Sequence, residues 1–129
     1  MSDSAPAVRA IVIDDESLIQ NLMKVFLEGA GCEFLGAAAD GAQGIELYRE
    51  HQPDLVLLDI NMPEMDGIEA LQGIKEINPG AYVVMMTAVD EMDIIEDCMI
   101  AGARDYIRKG ISADQIAPRI QKHVDRLKK

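Results

Sequence analysis

The chain switches five times between a short apolar run and a longer segment of helical periodicity, and this alternation limits its fold more than any other feature. The runs are "VRAIVI" (8–13), "CEFLGAA" (32–38), "DLVLL" (54–58), "AYVVMM" (81–86) and "RDYIR" (104–108). Consecutive aliphatic residues, as from Leu55 to Leu58, suit a strand buried on both faces. Between the runs, Leu18, Leu22 and Val25 recur at spacings of 4 and 3, with Ile19 and Phe26 beside them. In the last segment Ile116, Ile120, Val124 and Leu127 recur at 4, 4 and 3. These are helix periods. The stops agree: "GAG" follows the first helix, "NPG" the third and "AGA" the fourth. Asp40 with Gln43, and Ser112 with Gln115, have capping-box spacing. Gly44 and Gly73 fall inside expected helices and weaken each by about 1 kcal/mol relative to Ala. Five strands alternating with five helices predict an α/β fold, a doubly wound parallel sheet covered on both faces.

The 129 residues make one expected domain, residues 8–129, behind a loose head at 1–7. A chain of this size buries roughly two-thirds of its unfolded surface, and 49% hydrophobic content supplies the core. The net charge of -11 repels phosphate backbones and anionic membranes, so no nucleic-acid or membrane partner is expected. With no Trp, 2 Phe and 3 Tyr, there is no stacking platform for single strands either. "MSDSAPA" lacks an apolar signal region, and no apolar stretch approaches the ~20 residues of a membrane helix. Cys32 and Cys98 form no metal or redox spacing, and reduced thiols in a cytoplasmic core are expected. His51 and His123 are read as surface residues near helix ends. The eight Met residues are read as packing, and "GAAADGAQG" matches no nucleotide-binding loop.

In an open parallel sheet, ligands bind beyond the carboxyl ends of the strands. The residues there are Asp14, Asp15 and Glu16 after the first run, Asp59 after the third, Thr87 and Ala88 after the fourth, and Lys109 after the fifth. Each alone has a plain explanation, such as an N-cap, a turn residue or a solvated charge. Together they form a set. Were the first and third strands neighbours, three aspartates would converge. Two carboxylates about 4 Å apart repel by roughly 4 kcal/mol at an effective dielectric near 20, and a divalent cation would relieve this. Oxygen-only ligands favour Mg²⁺, or Mn²⁺, over zinc.

The stretches "IVIDDES", "PDLVLLDINMPEMDG", the "TA" after the fourth run and "AGARDYIRK" resemble the receiver domain of bacterial response regulators, in its single-domain chemotaxis form. The resemblance spans about residues 8–127. It implies a flavodoxin-like sheet of order 2-1-3-4-5. It also implies two-component signalling, with Asp59 accepting a phosphoryl group from a histidine kinase, a phosphotransfer domain or a small phosphodonor. Asp15, Asp59 and the Asn61 carbonyl would ligate Mg²⁺, and Asp14 would hold metal-bound water. Thr87, Lys109 and the Ala88 amide would contact phosphoryl oxygens, and Tyr106 matches an aromatic switch position. Such a module is not a turnover enzyme; it transfers phosphoryl only to and from itself. A downstream protein would dock on the face of the fourth helix, fifth strand and fifth helix, since no basic recognition helix is present.

A phosphatase of the haloacid-dehalogenase type shares an Asp nucleophile, Thr, Lys and Mg²⁺, but its D-x-D pattern after the first strand is "DDE" here. A degenerate receiver acting only as a scaffold is disfavoured by the complete acid, Thr and Lys set. Pro63 and Gly67 suit a turn into the third helix, and the apolar Val89 offers no help in orienting an attacking water. The chain departs from its family at "KGIS", where Gly110 replaces the usual proline. A trans peptide is expected there, with a looser loop and a partner docked in an altered way. Pro118 predicts a kinked last helix or one that begins near Ala117.

Overall fold

A computed structural model describes residues 7–62, 65–88 and 92–128. Ten elements alternate: β1 (Arg9–Ile13), α1 (Ser17–Gly29), β2 (Glu33–Ala38), α2 (Gly41–His51), β3 (Leu55–Asp59), α3 (Gly67–Ile77), β4 (Val83–Thr87), α4 (Met92–Ile100), β5 (Asp105–Arg108) and α5 (Ala113–Leu127). All strand pairs are parallel, in the order β2-β1-β3-β4-β5. The chain therefore reverses direction across the sheet between β1 and β3, which puts a crevice beyond their carboxyl ends.

The strands are apolar on consecutive residues because both faces are covered. Ile11, Ile13, Val56, Leu58, Val83 and Met85 pack with Tyr48, Leu71, Ile74, Ile95 and Cys98 from α2, α3 and α4. The alternate residues Ala10, Val12, Leu55, Leu57, Val84 and Met86 pack with Met23, Leu27, Ile116, Ile120 and Val124 from α1 and α5. Each fully buried aliphatic side chain contributes roughly 1.5–3 kcal/mol. The helix glycines repay their low propensity through close approach. A Cβ on Gly44 would lie 2.6 Å from Ile13 Cδ1, and one on Gly73 2.5 Å from Ile45 Cδ1. Cys32 and Cys98 are buried and unpaired, and burial pushes both thiols up to about 11. Among the described residues no helix is long and apolar enough to cross a membrane.

Several expectations need correction. Leu18 and Val25 of α1 face solvent, at 76% and 64% exposed, while Met23 and Leu27 form its buried side. His123 is no surface residue. It does stand near the end of α5, four residues before Leu127, but it is 1% exposed and its ring is hydrogen-bonded at both nitrogens. His51 does close α2 but is half-buried. Asp40 caps α2 through the Gln43 amide, whereas the Ser112 side chain makes no cap bond. The reciprocal capping box stands instead at Asp66 and Glu69, at the start of α3. α5 begins at Ala113 and runs on through Pro118, so a start near Ala117 is excluded. The peptide before Gly110 is trans, and Gly110 stays outside the left-handed region it could enter. Pro63 and Val89 lie outside the described residues, as do residues 1–6 of the expected head.

Candidate functional site

Parallel pairing sets the carboxyl ends of β1, β3, β4 and β5 side by side. Ile13 pairs with Leu58, Asp59 with Met86, and Thr87 with Arg108. Asp14 thus emerges beside Asp59, and Lys109 one step beyond Thr87, with the Lys109 amide donating to the Thr87 carbonyl at 2.8 Å. Asp14, Asp59 and Thr87 are all buried, at 0%, 2% and 1% exposed. Three hydrogen bonds anchor Asp14: its amide donates to the Ala38 carbonyl (2.9 Å), its carbonyl accepts from Gln20 Nε2 (2.6 Å), and its Oδ1 accepts from the Glu16 amide (2.8 Å). Asp59 Oδ1 accepts from the Asn61 amide at 3.3 Å.

Gly67 closes the floor of the site. Its amide donates to the Ile60 carbonyl at 2.8 Å, and a Cβ here would sit 2.4 Å from the Asp59 carbonyl oxygen and 2.6 Å from Ile60 Cα. Only a residue without a side chain lets α3 start this close to the strand that carries Asp59.

Lys109 reaches back over the acids. Its Nζ lies 2.8 Å from Asp14 Oδ2, 3.2 Å from Asp59 Oδ1 and 3.3 Å from Glu16 Oε1. Burial alone would discourage the ammonium, but the bond to Asp14 and the charges of Asp59 and Asp14 outweigh it and raise its pKa. The Asp59 carboxyl is pushed up from 3.8 to about 6, by burial first and by the Asp14 charge second, against the pull of Lys109. One lysine does not neutralise this cluster.

The donor set fits a divalent cation. Carboxylate oxygens of Asp14, Asp15 and Asp59 lie within 4.8 Å of one another. Asp59 Oδ2 is buried with no hydrogen-bond donor, and Asp14 Oδ2 meets only the lysine. Buried carboxylate oxygens are ordinarily satisfied, so an oxygen-seeking ion has vacant lone pairs to meet. Oxygen ligands alone, with Asp15 exposed toward solvent, suit a partly hydrated Mg²⁺.

The remaining expected residues are less deeply buried. Asn61 and Ala88 are exposed, and Tyr106 is half-buried on β5, packed against the core cluster under α2, α3 and α4. Beside Tyr106 runs an open groove lined by Arg108, Ile111, Asp114, Gln115, Pro118 and Arg119. Glu16 as a partner of Lys109 and Gly67 as the floor were not singled out from the sequence. The acid triplet "DDE" and the turn "MDG" were their only signals. A buried nucleophilic carboxylate, a lysine and an ion site at one strand edge can accept a phosphoryl group, because that transfer asks chiefly for positioning and for cations opposite negative charge.

The response regulator receiver domain matches this chain over residues 10–121. The chemotaxis protein CheY of Bacillus subtilis is 41% identical over 116 residues, covering 90% of this chain and 97% of that protein. The transcriptional regulatory protein PdtaR of Mycobacterium tuberculosis is 36% identical, covering 98% of this chain and 62% of that protein. Among solved structures, a chain of the CheX–CheY–BeF3–Mg²⁺ complex of Borrelia burgdorferi superposes with a TM-score of 0.84 at 30% identity, over 90% of this chain and 88% of that one. The response regulator domain of Thermotoga maritima CheB gives 0.85 at 29% identity, over 95% and 97%.

Proposed function

Because the chain belongs to the family of response regulator receiver domains, we propose that it is a phosphorylation-controlled switch of two-component signalling, with Asp59 as the phosphoacceptor. The observation that carries this reading is the buried Asp59 carboxylate, held between Asp14 and Lys109 with one oxygen lacking any hydrogen-bond donor. An Asp59 oxygen attacks the phosphorus of a phosphohistidine on a kinase or phosphotransfer domain. The P–N bond breaks as the P–O bond forms, and the imidazole leaves with its electron pair and takes up a proton. Asp15, Asp59 and the Asn61 carbonyl would hold Mg²⁺, with Asp14 holding a water on it, and the ion would supply positive charge against that of the phosphoryl group.

The chain's own residues supply the rest. Lys109 gives up part of its pairing with the acids and binds a phosphoryl oxygen as a point charge. Thr87 offers a hydroxyl donor and Ala88 an amide, both at the end of β4. The same shift alters the face of α4, β5 and α5, where Tyr106 and the exposed Met92, Met99 and Ile100 lie. We place the output there, toward a protein target, and the molecule in the cytoplasm with its kinase. The CheX–CheY–BeF3–Mg²⁺ complex of Borrelia burgdorferi supports trying a protein partner, and beryllofluoride as the phosphoryl mimic. Intact-mass analysis after acetyl phosphate and Mg²⁺ tests the reading. Wild type gains one phosphoryl group and Asp59→Asn gains none; modification of the variant at another site refutes it.

A further inference from the structure

Among the described residues a second buried polar cluster stands at the amino ends of β4 and β5, the opposite end of these strands from the acids. Tyr82, just before β4, places its hydroxyl 2.6 Å from His123 Nδ1, and His123 Nε2 lies 2.8 Å from Asp105 Oδ2 on β5. The two rings meet edge to face, with centroids 5.5 Å apart. A carboxylate can only accept, so Nε2 carries a proton; in the neutral ring Nδ1 is then the acceptor, and the tyrosine hydroxyl donates to it. Asp105 Oδ1 accepts from the Tyr106 amide at 2.8 Å, and Arg119 of α5 donates to the Tyr106 carbonyl at 3.0 Å. One continuous chain of bonds thus joins the entry of β4, the last third of α5, and the backbone of Tyr106.

We propose that Tyr82, His123 and Asp105 form a positioning clamp that fixes β5 against β4 and α5, and so holds Lys109 where a phosphoryl group on Asp59 needs it. The inference rests on the reading of Asp59 as phosphoacceptor. Its logic lies in which strands do what. The metal-ligating acids belong to β1 and β3, whereas the groups that grip the phosphoryl oxygens, Thr87 and Lys109, belong to β4 and β5. The clamp ties together only the second pair. Lys109 is four residues beyond Asp105, and the Lys109 amide bond to Thr87 lies between them and the crevice. A site whose donors are fixed in advance binds developing charge more strongly than one that must order them. His123 is therefore a positioning residue; it touches neither metal nor phosphoryl group.

The clamp predicts that metal binding and phosphoryl binding come apart. Tyr82→Phe removes one hydroxyl and keeps the ring, and His123→Leu removes both ring nitrogens. The probes are Mg²⁺ alone and beryllofluoride with saturating Mg²⁺, each followed by amide chemical shifts. In both variants Mg²⁺ affinity stays at the wild-type value. Beryllofluoride affinity falls about three- to tenfold, the range one lost hydrogen bond covers. His123→Gln, which can both donate and accept, recovers part of that loss. Nitrogen shifts of the wild-type ring should report a neutral imidazole protonated at Nε2. Equal beryllofluoride affinity in the folded Tyr82→Phe and wild-type proteins overturns the clamp, and so does a parallel fall in Mg²⁺ affinity. Failure of the wild type to bind beryllofluoride would instead overturn the phosphoacceptor reading on which the clamp depends.

Discussion

Neutralising Asp59 should stabilise the metal-free protein. A carboxyl raised from 3.8 to about 6 holds its charge at neutral pH against roughly 2 pKa units, or about 3 kcal/mol at 1.36 kcal/mol each. The geometry supports that size. Oxygens of Asp14 and Asp59 lie within 4.8 Å, a repulsion of about 3.5 kcal/mol or more at an effective dielectric of 20, to which burial adds and from which Lys109 subtracts. Asn keeps the shape, can still accept from the Asn61 amide, and leaves Lys109 with Asp14 and Glu16. Asp59→Asn should therefore gain about 2–3 kcal/mol in EDTA at neutral pH, a rise in Tm of roughly 7–11 °C for a domain of this length.

The pH dependence fixes the cause. An acid with a raised pKa binds its proton more tightly in the folded state, so the destabilisation is fully present above about pH 6 and gone below about pH 4. Urea unfolding across pH 4–8 should show the stability gap between variant and wild type closing as pH falls. Millimolar Mg²⁺ should close it from the other side by stabilising wild type alone. A variant no more stable than wild type in EDTA, or a gap that widens toward acid, would refute the strain assigned to this carboxylate.

Three further outcomes follow from the same contacts. Lys109→Arg should keep the charge yet weaken beryllofluoride binding by about tenfold or more, because a planar fork cannot occupy the place of a point charge between Asp14, Asp59 and Glu16; a titration with wild-type affinity counts against a positional role. Gly67→Ala should cost about 2–4 kcal/mol in urea unfolding, since both atoms its Cβ would strike are backbone and cannot swing away; a loss under about 1 kcal/mol would show that the α3 start yields easily. His123 has its pKa lowered by burial, against the bond and charge of Asp105, so its contribution is complete above the ordinary value near 6.5 and is lost as pH falls. Measured in the Asp59→Asn background to remove the opposite trend, stability should fall toward pH 5, and His123→Leu should flatten that slope.

What the sequence disclosed and what it hid follow from one physical distinction. A parallel sheet obliges its ligands to sit past the strand ends, so Asp14, Asp59, Thr87 and Lys109 could be placed together from the ends of four apolar runs. Topology alone brings them within bonding distance. α1 shows where periodicity stops. Leu18, Leu22 and Val25 keep helical spacing as well as Ile19, Met23, Phe26 and Leu27 do, and a period carries no phase. Only the neighbouring β1, β2 and α5 decide which stripe turns inward, leaving Leu18 and Val25 in solvent. His123 was misread for a related reason. A histidine near the end of an amphipathic helix looks solvated until its partners are known, and those partners, Tyr82 and Asp105, stand 41 and 18 residues away. Both lie within stretches quoted above, "AYVVMM" and "AGARDYIRK", yet nothing in either marks them as partners of a histidine, because such a cluster requires only a donor, an acceptor and burial, in any order along the chain. The acids of the crevice announce themselves by their place at the strand ends. The residues we propose as a clamp on β5 and Lys109 are chosen by fit across elements, which makes Tyr82, His123 and Asp105 visible only once β4, β5 and α5 are packed together.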